Sequence, residues 1–318
     1  MKREEVREVL ECLGDDRRLE YYFKDRYCLD FIKHEFTRLQ TDTLKVAELK
    51  KGKLSRFLNK PLMGEILSKA ANGIINSDDL YRAWPNKLIP YLTTFRVWGV
   101  DKRSWCQTTR KQCNLVLQIN FDNGHVQTYK KLIAPKSSQG PFEFWSHPVC
   151  RTKSKTLGWI RLDISFETDE VLIEEIQNDW LREAESELAY VKKDLAKGKT
   201  FKDEEVLFGC DTSCEKLQTY VEHSLKPYKE VWPELAMSAA LRLIREVLGV
   251  KRVFYHTFDT GKKLKGMGSS PPRSLYTQLP RKFGFEETTE APQMLLRHKF
   301  ARRCIKAIKD PRWFRLEV

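Results

Sequence analysis

Long apolar runs are missing from this 318-residue chain: segments such as Val171 to Ile173 and Met294 to Leu296 fall far short of the roughly 18 residues a membrane-crossing helix needs. No membrane span or membrane partner is expected. The opening stretch MKREEVREVLECLGDD has neither the apolar core nor the small-residue cleavage site of a secretory signal, which points to a cytoplasmic address. Cysteine is sparse too. The eight at positions 12, 28, 106, 113, 150, 210, 214 and 304 are too scattered for a disulfide framework, so reduced thiols are expected. Cys210 and Cys214, with His223 beyond them, lack the second close pair that a closed zinc site requires, and no metal is expected. A Walker loop, HExxH, an EF-hand and a Gly-x-Ser-x-Gly elbow are all missing, which excludes the commonest chemistries they mark.

What the chain does have is an ordinary globular balance, 41% hydrophobic and 11% aromatic, which excludes a disordered polyelectrolyte despite 32% charged residues. The net charge of +13 is unevenly spread. Residues 1–150 hold 26 Lys and Arg against 18 Asp and Glu, residues 151–250 hold 15 against 20, and residues 251–318 hold 16 against 6. A basic tail beside an acidic middle fits a surface that meets the phosphates of DNA or RNA, and equally a solvated face that only aids solubility.

Residues 1–91 read as a helical N-terminal subdomain. Val6, Val9, Leu10 and Leu13 share one helix face before Gly14; YYFKDRYCLDFIKHEF follows, with Tyr22, Tyr27, Phe31 and Phe36; Lys45 to Asn72 is a third helical region. Those aromatics fit a core better than a base-stacking platform. From residue 92 to 318 the pattern is α/β: strands TTFRVWGV, NLVLQINF and HVQTYKKLI, the last two joined by an Asp122-Asn123-Gly124 hairpin turn, then strands FEFWSH, GWIRLDISFE and EVLIEEIQND. A long charged helix follows, and then the helix WPELAMSAALRLIREVLGV with Pro233 in its first turn and Gly249 as its stop. The chain ends in the strand KRVFYHTFDT, the short helix of SLYTQLPRKFGFEET, a further strand, a basic helix from Gln293 to Lys309 and a closing strand WFRLEV.

This order, with ELAMSAALRLIREVLGVKRVFYHTF and SLYTQLPRKFGFEET, resembles the GNAT acetyltransferase superfamily over roughly residues 92–318. The resemblance implies a mixed, mostly antiparallel sheet with flanking helices, an acyltransferase activity and acyl-CoA as donor. The family binds the pyrophosphate on a glycine-rich loop at a helix N-terminus. Here KPYKEVWPELAMS has no glycine at that place, and the position of the family's proton-donating tyrosine is Pro280, with Tyr276 one turn earlier. A narrower likeness runs through EEIQNDW, Trp232, Val253 to Thr257 and Tyr276 to Gly284, which is similar to uncharacterised phage and mobile-element proteins carrying Glu-Ile-Gln-Ser-Asp-Trp. A nucleic-acid-binding protein, or a virion or assembly component with a protein partner, are the other readings.

The candidate residues fall in three places. Strand alternation puts Glu175, Gln177 and Asp179 on one face, a mixed polar and apolar pattern that suggests a site, with Glu175 as candidate general base. The same run also fits a strand fraying into a helix capped by Asp179. Tyr255, His256 and Asp259 leave the next strand at its C-terminal end, where ligands bind in α/β sheets; His256 is a candidate proton shuttle, or a structural histidine. The run GKKLKGMGSSPPR, with Lys262, Lys263, Lys265, Arg273, Gly261, Gly266 and Gly268, offers cations and backbone N–H groups to a phosphate, or is a surface loop. In MLLRHKFARRCIKAIK, Arg297, Lys299, Arg302, Arg303, Lys306 and Lys309 lie largely opposite Met294, Phe300, Ala301, Cys304, Ile305 and Ile308, a face that fits nucleic-acid phosphates.

Overall fold

The computed structural model describes residues 1–14, 17–100, 107–150, 154–201, 206–266 and 272–318. In chain order the first elements are α1 (Arg3–Leu13), β1 (Arg18–Tyr22), α2 (Arg26–Leu39), β2 (Thr43–Lys45), α3 (Val46–Lys51), α4 (Ser55–Leu58), α5 (Pro61–Lys69), β3 (Ile74–Asn76) and α6 (Ser77–Arg82). Then come β4 (Ile89–Trp98), β5 (Asn114–Phe121), α7 (Asn123–Leu132), β6 (Thr156–Ser165), β7 (Glu170–Gln177), α8 (Asp179–Ala196), α9 (Cys214–Thr219) and α10 (Lys226–Arg242). The chain closes with β8 (Arg252–His256), α11 (Phe258–Lys265), α12 (Arg273–Lys282), β9 (Glu286–Thr288), α13 (Gln293–Arg297), α14 (Lys299–Lys306) and β10 (Trp313–Glu317).

Eight strands form one mixed sheet in the order β1-β4-β5-β6-β7-β8-β10-β9, antiparallel throughout except for the parallel pair β7 and β8. The helices α8 and α10 that cross between the two parallel strands pack on β6. They cover an apolar face that includes Leu117, Ile119, Ile160, Leu162, Val171, Ile173 and Ile176. The opposite face is divided. Around β8 it is apolar, with Leu172, Phe254 and Trp313 under Leu264, Met294, Leu295, Ala301 and Ile305. Around β5 to β7 it carries Gln118, Asn120, Arg161, Asp163 and Glu175, all buried.

Several elements differ from the sequence expectations. The N-terminal region is not wholly helical: β1 runs beside β4 at the sheet edge, and β2 and β3 form a small ribbon. Asp122-Asn123-Gly124 is no hairpin. Asp122 accepts from the N–H groups of Gly124 (2.9 Å) and His125 (3.2 Å) and caps α7, so HVQTYKKLI is helical with His125, Val126 and Tyr129 inward. An aspartate before glycine serves either purpose, and the inward spacing of one and four residues favours the helix. FEFWSH forms turns, with Phe142 buried and Phe144 and Trp145 outside. Pro233 lies inside α10; Pro227 takes the first turn. The single basic helix is broken at His298, whose extended backbone (ψ 112°) ends α13 and whose ring accepts from the Ala301 N–H to cap α14. In GKKLKGMGSSPPR, Gly261 to Lys265 are helical, and Gly268 lies outside the described residues. The expected stop at Gly249 is present, in the left-handed conformation at φ 65°.

His125 gives the fold an acid weakness. Its ring stacks on Phe121 (4.0 Å) and lies 3.0 Å from the Tyr220 hydroxyl, and burial, opposed only by Asp122, pushes its pKa from 6.5 down to about 4. The unfolded chain therefore binds an extra proton between those values, and stability falls as pH drops through that window, by about 3 kcal/mol for this group. Urea denaturation at intervals between pH 7 and 4 should show the loss, and His125→Gln should lower the slope by up to one proton; an unchanged slope would refute the assignment.

Candidate functional site

The parallel ladder between β7 and β8 runs from Glu170 and Arg252 to Ile173 and Tyr255 and stops there. At the same point β7 bulges: Leu162 pairs with Ile173 and Arg161 with Glu175, leaving Glu174 as the extra residue. The bulge breaks strict alternation, so the neighbours Glu174 and Glu175 both reach the polar side. This notch lies at the C-terminal ends of two adjacent parallel strands, the place where open α/β sheets bind ligands.

Glu174 is fully buried. Its carboxylate accepts from the Thr109 N–H at 2.9 Å and the Thr109 hydroxyl at 2.8 Å, and lies 3.1 Å from His256 Nε2. Burial by itself would raise its pKa. The His256 hydrogen bond, with Lys265 and Arg161 nearby, reverses that and holds it down at about 2. Since an ionised carboxylate can only accept, Nε2 of His256 carries the proton. Burial lowers the His256 pKa against the hydrogen bond and charge of Glu174, with Lys265 and Arg161 adding to the burial, so the ring is neutral and Nδ1 is its basic nitrogen; Nδ1 has no hydrogen-bond partner among the described residues. Gly261 permits this packing, because a Cβ there would come within 2.9 Å of the His256 Cβ.

Lys265 reaches inward from the last turn of α11 and donates to the Glu174 main-chain oxygen at 2.7 Å, where the ladder has ended. Burial lowers its pKa, against the pull of Glu175 and Glu174. Its ammonium lies 5.8 Å from the Tyr276 ring centroid, and Tyr276 stacks on Tyr255 at 5.2 Å. Burial and then Glu175 push the Tyr276 pKa upward, so the hydroxyl keeps its proton across the neutral range. On the polar face, Arg161 is ion-paired with Glu175, donates to the Gln107 carbonyl at 2.9 Å, and lies between the rings of Trp98 (5.2 Å) and Trp159 (5.8 Å). Its Nε and Nη1 have no acceptor among the described residues.

The stripe continues outward along β7. Gln177 donates to Asp179 at 2.6 Å, and Asp179 lies 2.6 Å from His147 Nδ1 and accepts from Arg182 at 2.9 Å. The His147 side chain is 21% exposed, which makes this the open end of an otherwise closed cluster. Asn178, not Asp179, caps α8, accepting from the Leu181 N–H at 2.9 Å.

The structure thus gathers Glu175, His256, Tyr276 and Lys265 at the notch and sets Gln177 and Asp179 beyond it, in a separate network with His147 and Arg182. Lys262, Lys263 and Arg273 instead face solvent, with Arg273 over Phe258 at 4.6 Å, and Arg297 is ion-paired with Glu167. Arg302, Arg303 and Lys306 lie on the exposed side of α14. Arg161, Glu174, Thr109 and His147 were not singled out from sequence. Arg161 and Asp163, two apart within the apolar strand GWIRLDIS, carry a readable signal of a polar sheet face; Thr109 and His147 come from irregular segments with none. Two cavities lie away from this cluster, one of about 370 Å³ between α2 and α6 and one of about 1050 Å³ between α2 to α4 and the β9–β10 edge. Comparison with protein-family models, curated proteins and solved structures gives no match to this chain.

Proposed function

We propose that the chain is an atypical acyltransferase whose chemistry takes place in the notch between β7 and β8. The observation that carries this reading is the gathering of Glu174, Glu175, His256, Lys265 and Tyr276 where the two parallel strands part. Buried charges are costly, and clusters with strongly shifted pKa values concentrate at catalytic sites. The sequence resemblance to the GNAT superfamily suggests the reaction class.

The residues do not fit a coenzyme A pyrophosphate at α10, whose first turn has no glycine and carries Pro227 without an N–H, nor at α8, the first helix after β7. The α8 N-terminus is capped by Asn178 and carries the Asp179 carboxylate in its first turn, which repels a phosphate. A thioester borne on a shorter or protein-held arm suits the site better. In this reading His256, oriented by Glu174, takes the proton of the acceptor nucleophile at Nδ1, and Tyr276 supplies one to the departing group.

Calorimetry and thermal shift with acetyl-pantetheine and acetyl-CoA test the reading. Both should stabilise the protein, with acetyl-CoA binding no more than about tenfold tighter, since a pyrophosphate grip worth more than about 1.4 kcal/mol is not expected. Tyr276→Phe should abolish transfer to an amine acceptor while the melting temperature stays within a few degrees. Failure of both thioesters to bind would overturn it.

A further inference from the structure

We infer that the exposed side of α14, together with Lys111, is a docking surface for the phosphate backbone of double-stranded DNA. This inference stands independently of the acyl-transfer reading. Lys299, Arg302, Arg303 and Lys306 project from one side of the helix at three- and four-residue spacing, over a rise of about 10 Å. Lys111, from a different part of the chain, joins them through Phe300: its ammonium is 4.5 Å from that ring and the Arg303 guanidinium 5.9 Å. None of the five cations is paired with an acid among the described residues. That contrasts with Arg297, Arg312 and Arg315 close by in sequence, each held in an ion pair.

The chemistry of the face selects among anionic partners. A membrane would need an apolar stripe beside the cations, but Ala301 and Ile305 are already packed with Leu172, Phe254 and Trp313. An acidic protein would need aromatic or aliphatic anchors at the centre of the contact, and among the described residues from 249 to 318 no large hydrophobic side chain is exposed. Single-stranded nucleic acid would need free aromatic platforms, whereas Phe300 is half-buried and faced by Lys111. Duplex DNA needs only the row of cations, and a helix of this width is matched by its major groove rather than by the deep, narrow groove of duplex RNA.

The test is fluorescence anisotropy of the full chain with a labelled 20-base-pair duplex between 50 and 200 mM salt. Five phosphate contacts give a slope of about −4.5 in log K against log salt, hence a fall in affinity of about 500-fold across that range. Arg302→Gln with Arg303→Gln should cut the slope by about 1.8 and weaken binding at 50 mM at least tenfold, with an unchanged melting temperature, because both side chains are exposed. Lys50→Gln with Lys51→Gln, on exposed α3 positions, should leave binding as it was. The inference is overturned by salt-independent binding, by equal weakening from both double variants, or by polyglutamate or single-stranded DNA competing as well as the duplex does.

Discussion

Replacing Glu174 with alanine is expected to lower the unfolding free energy by about 3–5 kcal/mol, because it strands buried partners that have no water to turn to. The Thr109 N–H and hydroxyl lose their acceptor, His256 Nε2 loses its orienting carboxylate, and the buried Lys265 ammonium loses a counter-charge. Urea denaturation at pH 7 measures the loss. Glu174→Gln separates charge from shape: it still accepts one of these bonds and should cost about half as much. It should also flatten the acid limb, for the following reason. The Glu174 pKa is about 2 in the fold against 4.5 unfolded, so its contribution is complete above 4.5 and disappears as pH falls toward 2. A Glu174→Ala protein as stable as the parent would mean that the notch is solvated and the cluster loosely held.

The large pieces of this arrangement were legible because each rests on a local rule. The apolar runs of β5 to β7, the Gly249 stop before β8, and the helix, Gly284 (φ 83°) and strand that follow Tyr276 all combine periodicity with a residue suited to its backbone. The site was half legible for the same reason. Glu175, Gln177 and His256 stand at or near strand ends, where a carboxylate, an amide and an imidazole break the apolar run. Glu174 escaped because a one-residue bulge reverses strand alternation without any mark in the sequence. Lys265 read as one lysine among several in a solvent loop, whereas α11 turns it inward with Gly261 and Leu264. Asp122 was ambiguous in principle, since a helix cap and a turn draw on the same side-chain chemistry.

Arg161 carries the second large effect. Arg161→Met is expected to cost about 3–5 kcal/mol, since it leaves the Glu175 carboxylate buried at 6% exposure without its ion-pair partner and removes the cation from between Trp98 and Trp159. Glu175→Leu should be comparably damaging, for it strands a fully buried guanidinium. The two together should not sum. A well-packed apolar pair commonly equals or exceeds a buried ion pair in stability, because neither charge need be taken out of water, so Arg161→Met with Glu175→Leu should lie within about 1 kcal/mol of the parent. Thioester binding and transfer should nonetheless be lost in that stable double variant. Stability restored while binding disappears would mean that the pair is kept for what it does to a ligand rather than for the fold. A double variant that is both as unstable as the sum of its parents and still able to bind would assign Arg161 and Glu175 to the scaffold, and remove the polar face of β6 and β7 from the site.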